Sequence, residues 1–109
     1  MPKLILKGMP ASQGTAQGIA KIFLSGETIT DFPDNAILVT PITDPTMIQA
    51  MVKATAIVTD IGGITSHPAI ISREMGIPCV VNTKQATKII KNGMKILVDG
   101  TKGEVYELD

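Results

Sequence analysis

Disulfides are the first thing this sequence cannot have. Cys79 is its only cysteine, which excludes an internal bridge and a multi-cysteine zinc site and fits a reducing compartment. Tryptophan is absent and only Phe23, Phe32 and Tyr106 are aromatic, so any core must be aliphatic, and the many isoleucines and valines favour strands as its material. Excess charge is lacking too. Ten basic residues balance ten acidic ones, which removes the electrostatic footprint that would draw the chain to nucleic acid or an anionic membrane. No apolar run approaches the ~18 residues of a membrane span, and the N-terminus, MPKLILKGMP, has no signal-peptide core. The expectation is a cytoplasmic protein with no membrane or nucleic-acid partner.

What is present suits one domain spanning residues 1–109, since 109 residues with 44% hydrophobic content build one core and leave little for a second. KLILK reads as a strand, followed by a long exposed loop with glycines at 8, 14 and 18 and a second strand over residues 19–24. Residues 36–40 form a short apolar run. Asp44 and Pro45 then supply an N-cap and first-turn proline for a helix to about Lys53, with Met47, Ile48, Met51 and Val52 at helical spacing. Residues 56–59 repeat the strand signal. A second helix follows, capped by Ser66 or His67, with Pro68 in its first turn and Gly76 as its stop. A short β run at 79–81, a short helix at 86–91 and a hairpin of 95–99 with 104–108 complete the chain. Alternating β and α in the middle predict parallel strands, and the ends read as antiparallel, giving a layered α/β fold with a mixed sheet.

The only histidine stands at the most specific point of this order. In GGITSHPAIISREMGIP, His67 lies between a glycine pair and a helix start, where first-turn amides and the helix dipole favour an anion. Gly62 and Gly63 let backbone approach a bulky ligand, and Thr65 and Ser66 add hydroxyls. The dipole is worth about 0.3 to 1 kcal/mol at an exposed site, too little to activate an imidazole by itself. Stabilising a charged product and fixing the ring's tautomer are the larger effects, which suit a histidine that carries a phosphoryl group covalently.

GGITSHPAIISREMGIPCVV closely resembles the phosphohistidine signature of phosphoenolpyruvate-utilising enzymes. ILVTPITDPTMIQAMVKATAIVTDIGG is similar to the family's upstream strand, helix and strand, LKGMPASQGTAQGIAKIF to its N-terminal strands, and NGMKILVDGTKGEVYEL to its closing hairpin. The resemblance implies a swivelling β/β/α domain that shuttles phosphoryl between a nucleotide-binding domain and a phosphoenolpyruvate/pyruvate domain. It places the phosphorylated residue at His67 and the supporting positions at Gly62, Gly63, Thr65, Ser66 and Arg73. It implies no metal or cofactor in this chain, with magnesium and ATP or phosphoenolpyruvate belonging to partner domains, in the same protein or in separate chains. Two positions depart from the pattern: Pro68 stands where Ala, Ser or Thr is more usual, and Asn82 where Gly is. Neither partner domain is present, so the chain alone is expected to be inactive.

Other readings compete at single residues. Arg73, six residues and about 240° round a helix from His67, should not share its face, leaving a docking role or a salt bridge. Cys79 reads as core, with a Cys-His pair as the alternative. Lys84, Lys88, Lys91 and Lys95 would form a basic stripe if that segment were helical. For the whole chain the alternatives are a non-catalytic binding or regulatory domain on the same fold, and a hydrolase, for which no G-x-S-x-G elbow exists.

Overall fold

The computed structural model describes residues 2–24, 32–43 and 45–108. Its strands are β1 (Lys3–Lys7), β2 (Met9–Ser12), β3 (Thr15–Ile22), β4 (Ala36–Thr40), β5 (Ala56–Thr59), β6 (Cys79–Val81), β7 (Lys95–Asp99) and β8 (Glu104–Glu107). A single 3-10 turn, Pro45–Met47, runs into α1 (Ile48–Lys53); α2 is His67–Met75 and α3 Ala86–Ile89. The eight strands form one sheet in the order β1-β8-β7-β3-β4-β5-β6-β2. From β3 to β6 the strands are parallel, and β7, β8 and β1 on one flank and β2 on the other are antiparallel to their neighbours. The mixed sheet with a parallel centre and antiparallel ends is the architecture that the alternation of apolar runs predicts.

The N-terminal loop is the main correction. Residues 8–18 were expected to be exposed loop, yet β2 and the first half of β3 lie there. Pro10 and the glycines suggest breakers, but β2 ends the strand order, where a missing N–H is tolerated. Gly8 joins β1 at one end of that order to β2 at the other, so the sheet curls until its ends share one bent strand. The bend needs glycine because a Cβ there would meet the Val81 carbonyl oxygen at 2.5 Å.

Curling creates two cores. Ile37, Val39, Val58, Val80, Ile96, Val98 and Val105 point inside the curl, and Leu38, Ile57, Cys79 and Val81 point out from the same central strands against Met47, Met51 and Ala69 of the helical layer. Every residue of β4 and β5 is therefore buried, as expected for parallel strands covered on both faces. Each large aliphatic side chain contributes about 1.5–3 kcal/mol on burial.

α1 buries Ala50 and Met51 but leaves Ile48 and Val52 exposed, so only part of its apolar spacing faces the core. Asp44, its expected cap, lies outside the described residues. The lysine stripe does not form on one helix: α3 spans four residues, Lys84 precedes it with φ of 72° and Lys95 belongs to β7. Asn82 has φ of 56°, a conformation that favours glycine and that asparagine tolerates, which suits a position where the resemblance implies glycine. At the other end of the molecule, Lys3 of β1 is the register partner of Glu107 of β8.

Candidate functional site

The site forms at the carboxyl ends of β4 and β5, where an open parallel sheet places its ligand-binding loops. Both strands end on a buried threonine whose hydroxyl turns back to the carbonyl two residues on: Thr40 to Ile42 at 3.3 Å and Thr59 to Ile61 at 2.7 Å. The two loops are then tied together, because Asp60 N donates to Thr40 O and Ile61 N to Pro41 O. That pairing sets Thr43 Oγ1 3.0 Å from His67 Nδ1. His67 itself is exposed, as the first residue of α2.

The five other predicted residues divide by what holds them. Gly62 has φ of 131°, and a Cβ there would lie 3.0 Å from Ser66 Oγ, so both conformation and space require glycine. At Gly63 an added Cβ would meet nothing within 4 Å, leaving open space beside the loop. Ser66 is the N-cap of α2, but its hydroxyl donates to Gly63 O at 2.6 Å rather than to the helix. Its backbone N–H donates to the same carbonyl at 3.0 Å. The first-turn amides are therefore left uncapped by side chain, and Pro68, within that turn, has none to offer. Thr65 is exposed in the turn before the helix.

Arg73 spends its guanidinium within the chain. Its two terminal nitrogens donate to Ala11 O at 2.8 Å and Ile64 O at 2.7 Å, stitching the histidine loop to β2. It positions the loop and is not directed at the imidazole. Cys79 is buried in β6 and its thiol is pushed up to about 11, mainly by burial, with the Ser72 hydroxyl and the Arg73 charge opposing. A thiol held neutral in the core is no partner for an exposed histidine. The Ser72 hydroxyl is buried beside it without a well-formed hydrogen bond.

Two residues with a part in the site escaped sequence reasoning. Thr43 is 24 residues from His67, and only the pairing of the loops brings them together. Asp60 accepts from Thr87 N at 3.0 Å and from Thr87 Oγ1 at 2.6 Å, so it holds the start of α3 beside the loop. A signal existed for neither beyond their place after an apolar run. A groove of about 940 Å³ is lined by β2 and the β2–β3 connection together with Arg73, Gly76, Gly100 and Thr101, and does not include His67. Among the described residues, no three histidine, cysteine, aspartate or glutamate side chains come together as a metal site, and no helix is long and apolar enough to cross a membrane.

The chain that carries this arrangement has relatives among known proteins. Residues 32–103 match the family model for the PEP-utilising enzyme, mobile domain. The chain belongs to this family. The mobile domain is 53% identical over 105 residues to a probable phosphoenolpyruvate synthase of Archaeoglobus fulgidus, covering 96% of this chain and 14% of that protein. It is 40% identical to the rifampicin phosphotransferase of Bacillus subtilis, covering 96% of this chain and 12% of that one. The mobile domain thus spans about one seventh or less of the length of these relatives. Among solved structures, the solution structure of Enzyme I matches with a TM-score of 0.62 and 30% identity over 71% of this chain and 32% of that one. A UPF0107 protein shares the fold at a TM-score of 0.71 and 17% identity, covering 97% of this chain and 99% of that one.

Proposed function

We propose that the mobile domain is a phosphoryl carrier in which His67 Nε2 is the covalent acceptor. The observation that carries this is the 3.0 Å contact of Thr43 Oγ1 with His67 Nδ1. With Nδ1–H donating to Thr43, the lone pair of the neutral ring resides on Nε2. In-line attack by that pair on phosphorus forms the N–P bond while the donor's P–O bond breaks and its electrons leave on the donor oxygen. The phosphorylated ring keeps its Nδ1 proton and is positively charged, which makes it a good leaving group. On return, an acceptor oxygen attacks phosphorus and the N–P electrons go back to Nε2.

The supporting residues act through the loop. Gly62 and Ser66 fix its shape, Gly63 leaves space, the first-turn amides of α2 and the Thr65 hydroxyl face the phosphoryl oxygens, and Arg73 keeps the loop against β2. The donor and acceptor sites belong to a nucleotide-binding domain and a phosphoenolpyruvate or other acceptor domain outside this chain. Those domains hold ATP, magnesium and phosphoenolpyruvate; nothing here forms a Walker-type loop.

The test is labelling of the purified chain with ATP and magnesium, with and without the cognate nucleotide-binding domain. Acid-labile label is expected on His67 only when that domain is added, and none on His67→Ala. Wild-type label on His67→Ala, or rapid stoichiometric labelling of the isolated chain by ATP, overturns the assignment.

A further inference from the structure

The groove of about 940 Å³ beside β2 has a single charged residue in its lining, Arg73. Each terminal nitrogen of that guanidinium donates to one carbonyl, Ala11 O or Ile64 O, so three of the five N–H groups of an arginine remain for a further acceptor. Both carbonyls are uncharged, and neither neutralises the arginine. Ser12, in the same lining, is only 6% exposed, and its hydroxyl has no hydrogen-bond partner among the described residues. It is not sealed in the core as the Ser72 hydroxyl is, so the groove is where a partner can reach it. A buried hydroxyl left unpaired costs free energy that a bound polar group recovers. Thr101 Oγ1 accepts from Gly14 N at 2.9 Å, which leaves its own proton to donate.

We infer that this groove binds a small monocarboxylate with a hydroxylated body, and that its occupancy stiffens the histidine loop. The charge in the lining selects the anion. One guanidinium suits one carboxylate, which it meets as a planar fork. Gly76, also in the lining, is the C-cap of α2, where unpaired last-turn carbonyls and the negative end of the helix dipole disfavour a doubly charged phosphate and accept from ligand hydroxyls. Ser12 and Thr101 supply further hydroxyl partners. The volume lies within the range of about 300–1,000 Å³ that small-molecule sites occupy.

The link to the loop is Arg73 itself, because Ile64, whose carbonyl it holds, stands three residues before His67. A carboxylate on the remaining N–H groups restrains the guanidinium without displacing it from Ala11 O and Ile64 O. Linkage makes the effect reciprocal: the stitched form of the loop binds the ligand more tightly. The inference is independent of the carrier reading.

Amide NMR of the chain during titration with glycerate tests this, with acetate, inorganic phosphate and glycerol as comparisons at one ionic strength. Amides of Ser12, Gln13, Gly14, Gly100 and Thr101 should shift saturably with glycerate, at a midpoint between about 0.1 and 10 mM, the range of two charge-assisted hydrogen bonds. Acetate and phosphate should each bind about tenfold more weakly, and glycerol should produce no saturable shift. At saturation, amide exchange in residues 62–66 should slow about threefold or more. Ser12→Ala, which leaves the Arg73 contacts in place, should raise the midpoint about three- to tenfold without changing the melting temperature, and Arg73→Lys should raise it about tenfold or more. No saturable shift with glycerate, an equal shift with glycerol, or an unchanged midpoint in Ser12→Ala overturns the site. Phosphate binding as tightly as glycerate overturns the choice of a monocarboxylate, and acetate doing so overturns the hydroxylated body. Binding with unchanged exchange in residues 62–66 overturns the link to the loop. None of these readouts involves phosphorylation of His67, so failure here leaves the carrier reading standing.

Discussion

Thr43 lies in the loop after β4 and His67 starts α2 at the end of the loop after β5, and their side chains meet at 3.0 Å because those two loops are bonded to each other through Asp60 and Ile61. Thr43→Val removes the hydroxyl but keeps the shape, freeing the ring to exchange tautomers and turn. Transfer to His67 should fall by about 10- to 100-fold with little change in stability, less than the ~10²–10⁴ of a group that itself moves a proton because Thr43 only orients the ring, and Thr43→Ser should restore most of it. Nitrogen NMR of the wild type should show the proton on Nδ1 and phosphorus on Nε2. A proton resident on Nε2 would reverse the assignment.

Gly62 and Gly63 should respond differently to alanine. Gly62→Ala forces a side chain into φ of 131° and within 3.0 Å of Ser66 Oγ, and should cost about 1–3 kcal/mol in denaturant unfolding. Gly63→Ala meets no neighbour and should unfold within about 0.5 kcal/mol of wild type, yet lose transfer if, as proposed, the open space beside it receives the phosphoryl group. Equal destabilisation by the two changes contradicts this division.

Arg73→Lys should behave like a loss, although it keeps the charge. One ammonium cannot span the two carbonyls, Ala11 O and Ile64 O, that the planar guanidinium joins. We expect about 1–2 kcal/mol of destabilisation, discounted from the range for charged hydrogen bonds because the residue is exposed. Amide exchange should accelerate in residues 62–66. Unchanged exchange there rules out the stitching role.

Cys79 makes the alkaline limb of stability testable. Its folded value, about 11, exceeds the 9.0 of a free thiol because burial disfavours the thiolate. Folded chains therefore retain a proton that unfolded chains release, and stability is lost as pH rises from about 9 to about 11, by roughly 2–3 kcal/mol in all. Below pH 9 the thiol has no such effect. Cys79→Ala should flatten that limb while transfer persists, at about 1 kcal/mol of lost packing. An unaltered limb assigns the alkaline loss to other groups.

The sequence discloses those parts of the molecule in which one local pattern decides the outcome. Pro68 and Gly76 bracket α2 as their conformational preferences require, and the buried runs at 36–40 and 56–59 become central strands. Local patterns fail where tertiary closure intervenes. Pro10 and Gly8 look like breakers until the sheet curls and needs a bend and an edge strand there. Ile48 and Val52 follow a core spacing but point outwards, because α1 is short and packs through Ala50 and Met51. At the site, the position of His67 is legible in GGITSHP, whereas Thr43 depends on a pairing between loops that no short motif encodes. Arg73 shows the opposite failure: its place is written in the motif, but its carbonyl partners are not.

The register pairing of Lys3 with Glu107 bears on reach. Where this domain is embedded in a longer protein, the chain enters and leaves it at adjacent points, so the two connections act as one tether and the body can rotate about it without winding them. A rotation about a fixed point moves an atom at most twice its distance from that point. The extents are 35 × 27 × 22 Å, so the imidazole lies no farther from the tether than the diagonal of that box, and rotation alone carries it at most twice that distance. Partner sites spaced more widely would have to be served by lengthening the tether, and the length of the two connections thereby sets which pairs of sites one histidine can serve.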